Sequence, residues 1–306
     1  DDVELDEAPK RSLGWALAGC VAVFLLMLIA WGLGQLVSPR THLVLEWCSF
    51  VPTGAVALAA AFVGWRCLRC DARCIGWVAV VLAALLSLKV ATEQKWFADA
   101  PGGDGALTLM HWNVCRGWFL DSVIQRVEER DADVWVLAEV PEEFDPARFG
   151  VAGTWRIDNL LFGCRRGRWS TREVDPIYGT RIHAAEWIDG EQRLLVCAVD
   201  IDASIFNSRA RVLDAVAERL RDLQPDVLVG DFNTPRDSAM FEPIRDQMRH
   251  AYDAVGSGWS GTWPLPVPLF AIDHIFFGPT VQPMDYALFS TVCSDHRGQL
   301  FKFSLR

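Results

Sequence analysis

The stretch DVLVGDFN, residues 226–233, decides how this chain reads. Val227 to Gly230 is a short apolar run bounded by Pro225 and by turn-forming residues, as expected of a strand buried on both faces. Upstream, Ser208 to Leu223 places Val212, Ala215, Val216 and Leu220 on one helical face with charges elsewhere, and Pro225 stops that helix. The alternation continues in both directions. Leu194 to Ile201 reads as the preceding strand, and Ile272 to Phe277 and Leu300 to Ser304 as later ones. Nearer the N-terminus, Ala106 to Val114 and Val134 to Val140 read as strands around a helix over Ser122 to Arg130. No internal repeat interrupts this order. A sheet core with outer helices follows, in an α/β or α+β domain. The segment TWPLPVPLF, 262–270, reads as an ordered loop leading into a strand rather than as a ligand for a proline-binding module.

Polar residues fall at the ends of these strands. Asn113 closes LTLMHWN, Glu139 closes VWVLAE, and Asp231 and Asn233 follow DVLVG. Asp273 and His274 interrupt AIDHIFF, and Asp295 and His296 precede the final strand. Taken singly, Asn113 reads as a turn residue, Glu139 as a group meeting solvent, and Asp231 with Asn233 as an Asx turn. Taken together, they converge on one sheet edge if the strand ends point the same way. Carboxylate, amide and histidine groups so gathered suit a hard divalent cation.

The ordered series WNV (112–114), AEV (138–140), VGDFN (229–233), IDHI (272–275) and SDHR (294–297) resembles the endonuclease/exonuclease/phosphatase superfamily. That group includes apurinic endonucleases, pancreatic-type deoxyribonucleases, neutral sphingomyelinases and inositol polyphosphate phosphatases. The likeness runs from about residue 107 to the end, and GDFN with SDHR carries most of its specificity. It implies a four-layer sandwich of two mixed β-sheets flanked by helices, and a phosphodiesterase or phosphatase using Mg2+ or Mn2+. It implies that Glu139, Asn113 and Asp295 are on the metal side, Asn113 also reaching the phosphate. Asp231 would activate the attacking water, assisted by Asn233, and His296, held by Asp273, would face the phosphoryl group. In-line attack on a phosphoester needs such a base, a cation and a donor near the developing charge. The chain departs from the family at VCAVDIDAS (196–204), where Asp200 stands in place of a common histidine. Either Asp200 takes over part of the phosphate-side duty or catalysis differs in detail. Arg209, opening the next helix, reads as a substrate contact or as a helix-end charge.

Charges are nearly absent from residues 12 to 92, and three apolar stretches, about 13–37, 43–65 and 75–95, approach the ~20 residues that cross a bilayer core. Each is bracketed by tryptophan: Trp15 and Trp31, Trp47 and Trp65, Trp77 and Trp96. A membrane anchor of three transmembrane helices over 1–96, a linker FADAPGGDGA over 97–106 and a catalytic domain over 107–306 are expected. Arg66, Arg69 and Arg73 crowd the loop between the second and third stretches, which makes that loop cytoplasmic. With Lys10 and Arg11 before the first, an odd number of spans places the domain on the extracytoplasmic side. Within the apolar cores Leu13 to Val37, Leu43 to Trp65 and Ile75 to Ala91 only Glu46 and Lys89 are charged, both near ends, which argues against a transporter.

After residue 100 there are 30 Asp plus Glu against 21 Lys plus Arg, a net of −9. Extended nucleic acid is a poor match to that charge. A lipid or envelope phosphodiester fits better, leaving as alternatives an extracytoplasmic nuclease and a catalytically silent scaffold on the same fold. Arg165, Arg166 and Arg168 form the one tight basic cluster, suited to an anionic head group or to a solvated turn. Trp118, Trp155, Trp259 and Trp263 supply either an apolar lip or core. Cys115, Cys164, Cys197 and Cys293 permit two disulfides or four buried thiols, and Cys67, Cys70 and Cys74 a metal site lacking a fourth ligand.

Overall fold

The computed structural model describes residues 7–36, 43–97, 107–117, 120–151, 153–172, 176–177 and 180–306. The chain divides into two compact units, Asp1–Gln94 and Lys95–Arg306. The expected linker, apart from Phe97, and Trp118 lie outside the described residues.

The first unit is helical: α1 (Glu7–Leu36), α2 (Leu43–Cys48), α3 (Thr53–Arg69) and α4 (Arg73–Glu93). Among the described residues two helices, not three, are long and apolar enough to cross a membrane: Trp15–Gln35 within α1 and Arg73–Glu93, with mean hydropathies of 2.5 and 2.2. The stretch expected as a continuous span over 43–65 is broken between α2 and α3. Pro52 at the N-cap of α3 lacks an N–H and cannot continue a preceding helix, so α3 is left with 17 residues. Small residues let α3 and α4 approach closely. A Cβ on Gly64 would lie 2.9 Å from Val80 Cγ2, and one on Gly76 2.7 Å from Leu68 Cγ. Trp31 Nε1 donates to Thr53 Oγ1 at 3.1 Å, tying α1 to α3. Elsewhere α1 and α4 turn large apolar side chains outward, with Leu26 67% and Val78 69% exposed.

The second unit holds two mixed six-stranded sheets. The first contains β1 (Leu107–Asn113), β2 (Val134–Ala138), β3 (Gly153–Ile157), β4 (Leu160–Cys164), β11 (Val281–Phe289) and β12 (Gly298–Leu305), in the order β11-β12-β1-β2-β4-β3. The second contains β5 (Arg168–Arg172), β6 (Ile182–Asp189), β7 (Gln192–Asp200), β8 (Val227–Asp231), β9 (Arg249–His250) and β10 (Asp273–Phe277), in the order β5-β6-β7-β8-β10-β9. Each sheet has one parallel pair, β1 with β2 and β7 with β8, flanked by antiparallel neighbours. α5 (Leu120–Glu129) covers the first sheet through Val123 and Val127, and α6 (Arg209–Leu223) the second through Val212, Leu213 and Val216. Between the sheets lies a core of Leu109, Val136, Phe162, Val196, Val229, Ile275 and others. The layers are helix, sheet, sheet, helix, as expected.

The short apolar runs formed strands because both faces are covered. The strands not predicted are β3 to β6, the two-residue β9 and β11; β5 is mostly exposed and its sequence, RWSTR, has little apolar signal. All nine cysteines are free, and Cys164 and Cys197 are buried thiols. Burial pushes the Cys197 thiol up to about 12 against the opposing charge of Arg172.

Gly230 shows how tightly the sheet is drawn beneath the Asp231 turn. A Cβ there would sit 2.0 Å from the carbonyl oxygen of Val199 on the neighbouring strand. Gly230→Ala is therefore expected to cost about 2 kcal/mol or more of stability, read as a lowered urea midpoint; an unchanged midpoint would contradict this account.

Candidate active site

Side chains alternate along a strand, and on this protein's strands the alternation leads from core to site. On β1 the series facing the other sheet is Leu107, Leu109, His111, Asn113; on β8 it is Val227, Val229, Asp231. On β7 Leu194, Val196 and Ala198 lead to Asp200, and on β10 Phe277 and Ile275 lead back to Asp273. Each apolar series ends in a polar residue at the same edge. Register then sets three carboxylates side by side: Asp231 pairs with Asp200 on β7 and with Asp273 on β10. Glu139 falls on the wrong parity to join them, since Trp135 and Leu137 face outward toward α5. Its backbone adopts φ 54°, a left-handed conformation costly for a residue with a side chain, and its carboxylate reaches Asn113.

Asn113 is the bridge between the sheets. Its Nδ2 donates to Glu139 Oε1 at 3.1 Å and to Asp231 Oδ2 at 3.0 Å, while its Oδ1 accepts from the Cys115 N–H at 2.9 Å. Asp231 Oδ1 accepts the Asn233 N–H at 2.9 Å, and Asn233 Nδ2 donates to the Ile201 carbonyl at 2.7 Å. Asp231 is buried, and that burial, with Asp273 beside it, pushes its carboxyl well above the usual carboxylate range. Asp200 accepts a hydrogen bond from Asn159 Nδ2, yet burial and the charge of Glu139 raise it to about 7. Oxygens of Glu139, Asp200 and Asp231 lie within 4.8 Å of one another. So many acidic oxygens in a half-buried cluster suit a hard divalent cation, which would offset their repulsion.

His296 stands beside this cluster. Its Nδ1 meets Asp273 Oδ2 at 2.9 Å, and its Nε2 lies 3.9 Å from Asp231 Oδ2 and from Asp295 Oδ1. Burial favours the neutral ring, but Asp273, Asp231 and Asp295 outweigh it and raise the imidazole to about 10. Burial likewise opposes charge on Asp273; the His296 and His111 rings overcome it and hold that carboxyl well below its ordinary value. The loop is pinned by Trp112 Nε1 donating to the His296 carbonyl at 3.2 Å and by Ser294 Oγ, which donates to the Asn113 carbonyl and accepts the His296 N–H.

The other expected residues fall in different places. Asp295 Oδ2 accepts from Trp263 Nε1 at 2.9 Å, outside the group formed by Glu139, Asp200 and Asp231. Asp200, expected on the phosphate side, lies within that group. Arg209 is buried, its Nε donating to the Asn233 carbonyl at 3.2 Å, so it braces the turn after Asp231. His274 turns away, its Nε2 meeting the Thr234 carbonyl and its Nδ1 meeting His250. Arg165 and Arg166 bond Glu128, Ala132 and Asp133, at the opposite edge of the sheets. Trp155 packs on Phe162 at 5.0 Å between ring centroids.

Two participants were missed. His111 Nε2 lies 3.8 Å from Asp273 Oδ1, with its Nδ1 toward the Val136 carbonyl at 3.1 Å. Its spacing of two from Asn113 was the available signal, since it puts both on one face. Asn159 has no such signal; it reaches Asp200 only because the β3–β4 turn folds back over the second sheet's edge.

The raised Asp200 carboxyl has a consequence for stability. Folding disfavours its ionised form, a penalty absent below its ordinary 3.8, growing as pH rises toward 7 and complete above that. Asp200→Asn should therefore raise the melting temperature of the EDTA-treated protein at pH 8 and leave it nearly unchanged at pH 4. Equal shifts at both pH values, measured by thermal denaturation, would refute the assignment.

Residues 110–296 match the model of the Endonuclease/Exonuclease/phosphatase family. No curated protein matches the chain. Among solved structures, it is similar in fold to an endonuclease/exonuclease/phosphatase from Bacteroides vulgatus at 19% identity and a TM-score of 0.53, covering 66% of this chain and 100% of that one. The mannosyl-6-phosphatase of Bacteroides thetaiotaomicron is similar at 15% identity and a TM-score of 0.51, over 65% and 100% of the two chains. TDP2 of D. rerio, complexed with a single strand DNA product, is similar at 17% identity and a TM-score of 0.51, over 66% and 100%. With its family model spanning most of the two-sheet unit, this chain belongs to the endonuclease/exonuclease/phosphatase family.

Proposed function

We propose that this protein is a divalent-metal-dependent phosphoester hydrolase held at a membrane by its N-terminal helices. The observation that carries the reading is the juxtaposition of Asp231 with His296 at 3.9 Å, beside the oxygen cluster of Glu139, Asp200 and Asp231. Glu139 and Asp200, with Asp231 and Asn113 adjoining, would hold Mg2+ or Mn2+. When bound, such a cation neutralises charge on the phosphoryl oxygens. Asp231 accepts the proton of an attacking water; its raised basicity suits a general base, and the Asn233 N–H on Oδ1 fixes its orientation. His296 carries a proton on Nε2 toward the anionic phosphoryl group, its other nitrogen held by Asp273. The net charge of −9 after residue 100 supports a compact phosphoester over extended nucleic acid.

The membrane half of the reading rests on α1 and α4, the two helices of sufficient length and apolarity. The last one alone suggests a side. Arg66 and Arg69 in the last turn of α3 and Arg73 opening α4 favour a cytoplasmic start for α4, which sends the following domain to the extracytoplasmic face.

Two outcomes test these statements. The full chain should hydrolyse bis-p-nitrophenyl phosphate with Mg2+ or Mn2+, with Asp231→Asn and His296→Ala each lowering kcat by about 10² or more; equal turnover by wild type and both variants sinks the assignment. The chain should also stay in the membrane pellet through an alkaline carbonate wash, whereas release into the supernatant would remove the tether.

A further inference from the structure

Among the described residues of 107–306, six large apolar side chains are strongly exposed: Ile205, Phe206, Trp259, Val267, Leu269 and Val292. All six lie on three loops, and each loop opens at the edge that carries the site. Residues 201–208 follow Asp200 at the end of β7, 256–272 lead into Asp273, and 290–297 join β11 to β12 through His296. Phe206 is 76% exposed and Val292 90%. The opposite edge carries Asp131, Arg165, Arg166, Glu191 and Asp222 instead. A soluble surface scatters its exposed apolar residues singly; their confinement to one rim marks a contact surface.

The space at that edge is two-sided. One pocket of about 640 Å³ contains Glu139 and Asp200 and is walled by Arg116, Asp158, Arg181 and His183. Another of about 910 Å³ adjoins Asp295 and is walled by Leu265, Pro266, Val292 and Cys293. Asp295, in the wall of the apolar pocket, lies 3.9 Å from His296 Nε2, and so does Asp231, whose carboxylate is within 4.8 Å of those of Glu139 and Asp200 in the polar pocket; His296 lines neither pocket but stands within one carboxylate of each. A phosphodiester seated at His296 has a hydrophilic group on one side and an apolar one on the other.

We propose that the catalytic edge docks on a lipid bilayer through these three loops and that the substrate is an amphiphilic phosphodiester taken from that surface. The proposal rests on the hydrolase reading above. The apolar pocket receives the alkyl or acyl side and the charged pocket the head group, while Ile205, Phe206 and Val267 seat the rim in the lipid. The chain's own apolar helices, read as its membrane tether, keep such a surface at hand.

The test compares two chromogenic diesters with the same leaving group, methyl p-nitrophenyl phosphate and hexadecyl p-nitrophenyl phosphate, the latter dispersed in phospholipid–detergent mixed micelles. The full chain is assayed with Mn2+ beside the triple variant Ile205→Ser, Phe206→Ser, Val267→Ser, whose positions line neither pocket. Wild type is expected to favour the hexadecyl ester by at least about tenfold in kcat/KM, slightly less than the burial of two methylenes provides. The triple variant should lose that preference with turnover of the methyl ester unchanged, which also reports an intact fold. A wild type that cleaves both esters equally, or a preference the variant retains, overturns the docking surface and leaves the hydrolase reading standing. Failure to cleave either ester overturns the hydrolase reading and this one with it.

Discussion

The site is governed by strand register. Pairing Asp231 with Asp200 on one side and Asp273 on the other puts three carboxylates on adjacent strands at the end of a buried core. Like charges so placed repel, and burial makes each charge costly. The surrounding polar groups answer that repulsion. His296 and His111 take opposite oxygens of Asp273, Asn113 donates to Asp231 from the other sheet, and Asn159 donates to Asp200. What those groups leave uncompensated is the cluster of Glu139, Asp200 and Asp231, where a cation fits.

The fold makes this economical because one alternation serves both purposes. Residues facing inward along β1, β7, β8 and β10 are apolar in the middle and polar at a single edge, so the core and the site are successive parts of the same rows of side chains. Contacts across the gap, Asn113 to Asp231 and His111 to Asp273, then join the two sheets where the apolar core ends. Glu139 departs from the alternation, and its left-handed backbone is the local cost of turning its carboxylate toward Asn113. Gly230 is the complementary case, where any side chain would collide with β7.

The helical unit follows different rules. Glycines and alanines bring α3 and α4 together, while large apolar residues of α1 and α4 face outward. Among the described residues of the two-sheet unit the exposed large apolar side chains are few and lie on the loops at the rim of the site. Trp155 and Trp263, candidates for such a rim, are occupied elsewhere: one packs on Phe162 and the other donates to Asp295.

Sequence alone determined the strands of β1, β2, β7, β8, β10 and β12 and helices α5 and α6, because short buried runs and period-3.6 faces are local signals, and it showed polar residues from Asn113 to His296 falling at the strand ends. It also showed that the first hundred residues are apolar, though not that Pro52 divides the middle stretch. Tertiary structure decided what depends on contacts between distant strands. Which carboxylates share a cluster is set by the pairing of β7 with β8, and that Asp200 joins Glu139 while Asp295 turns to Trp263 has no trace in spacing along the chain. The edge strands β3, β5 and β11 were likewise hidden, since their partners, rather than their composition, make them strands.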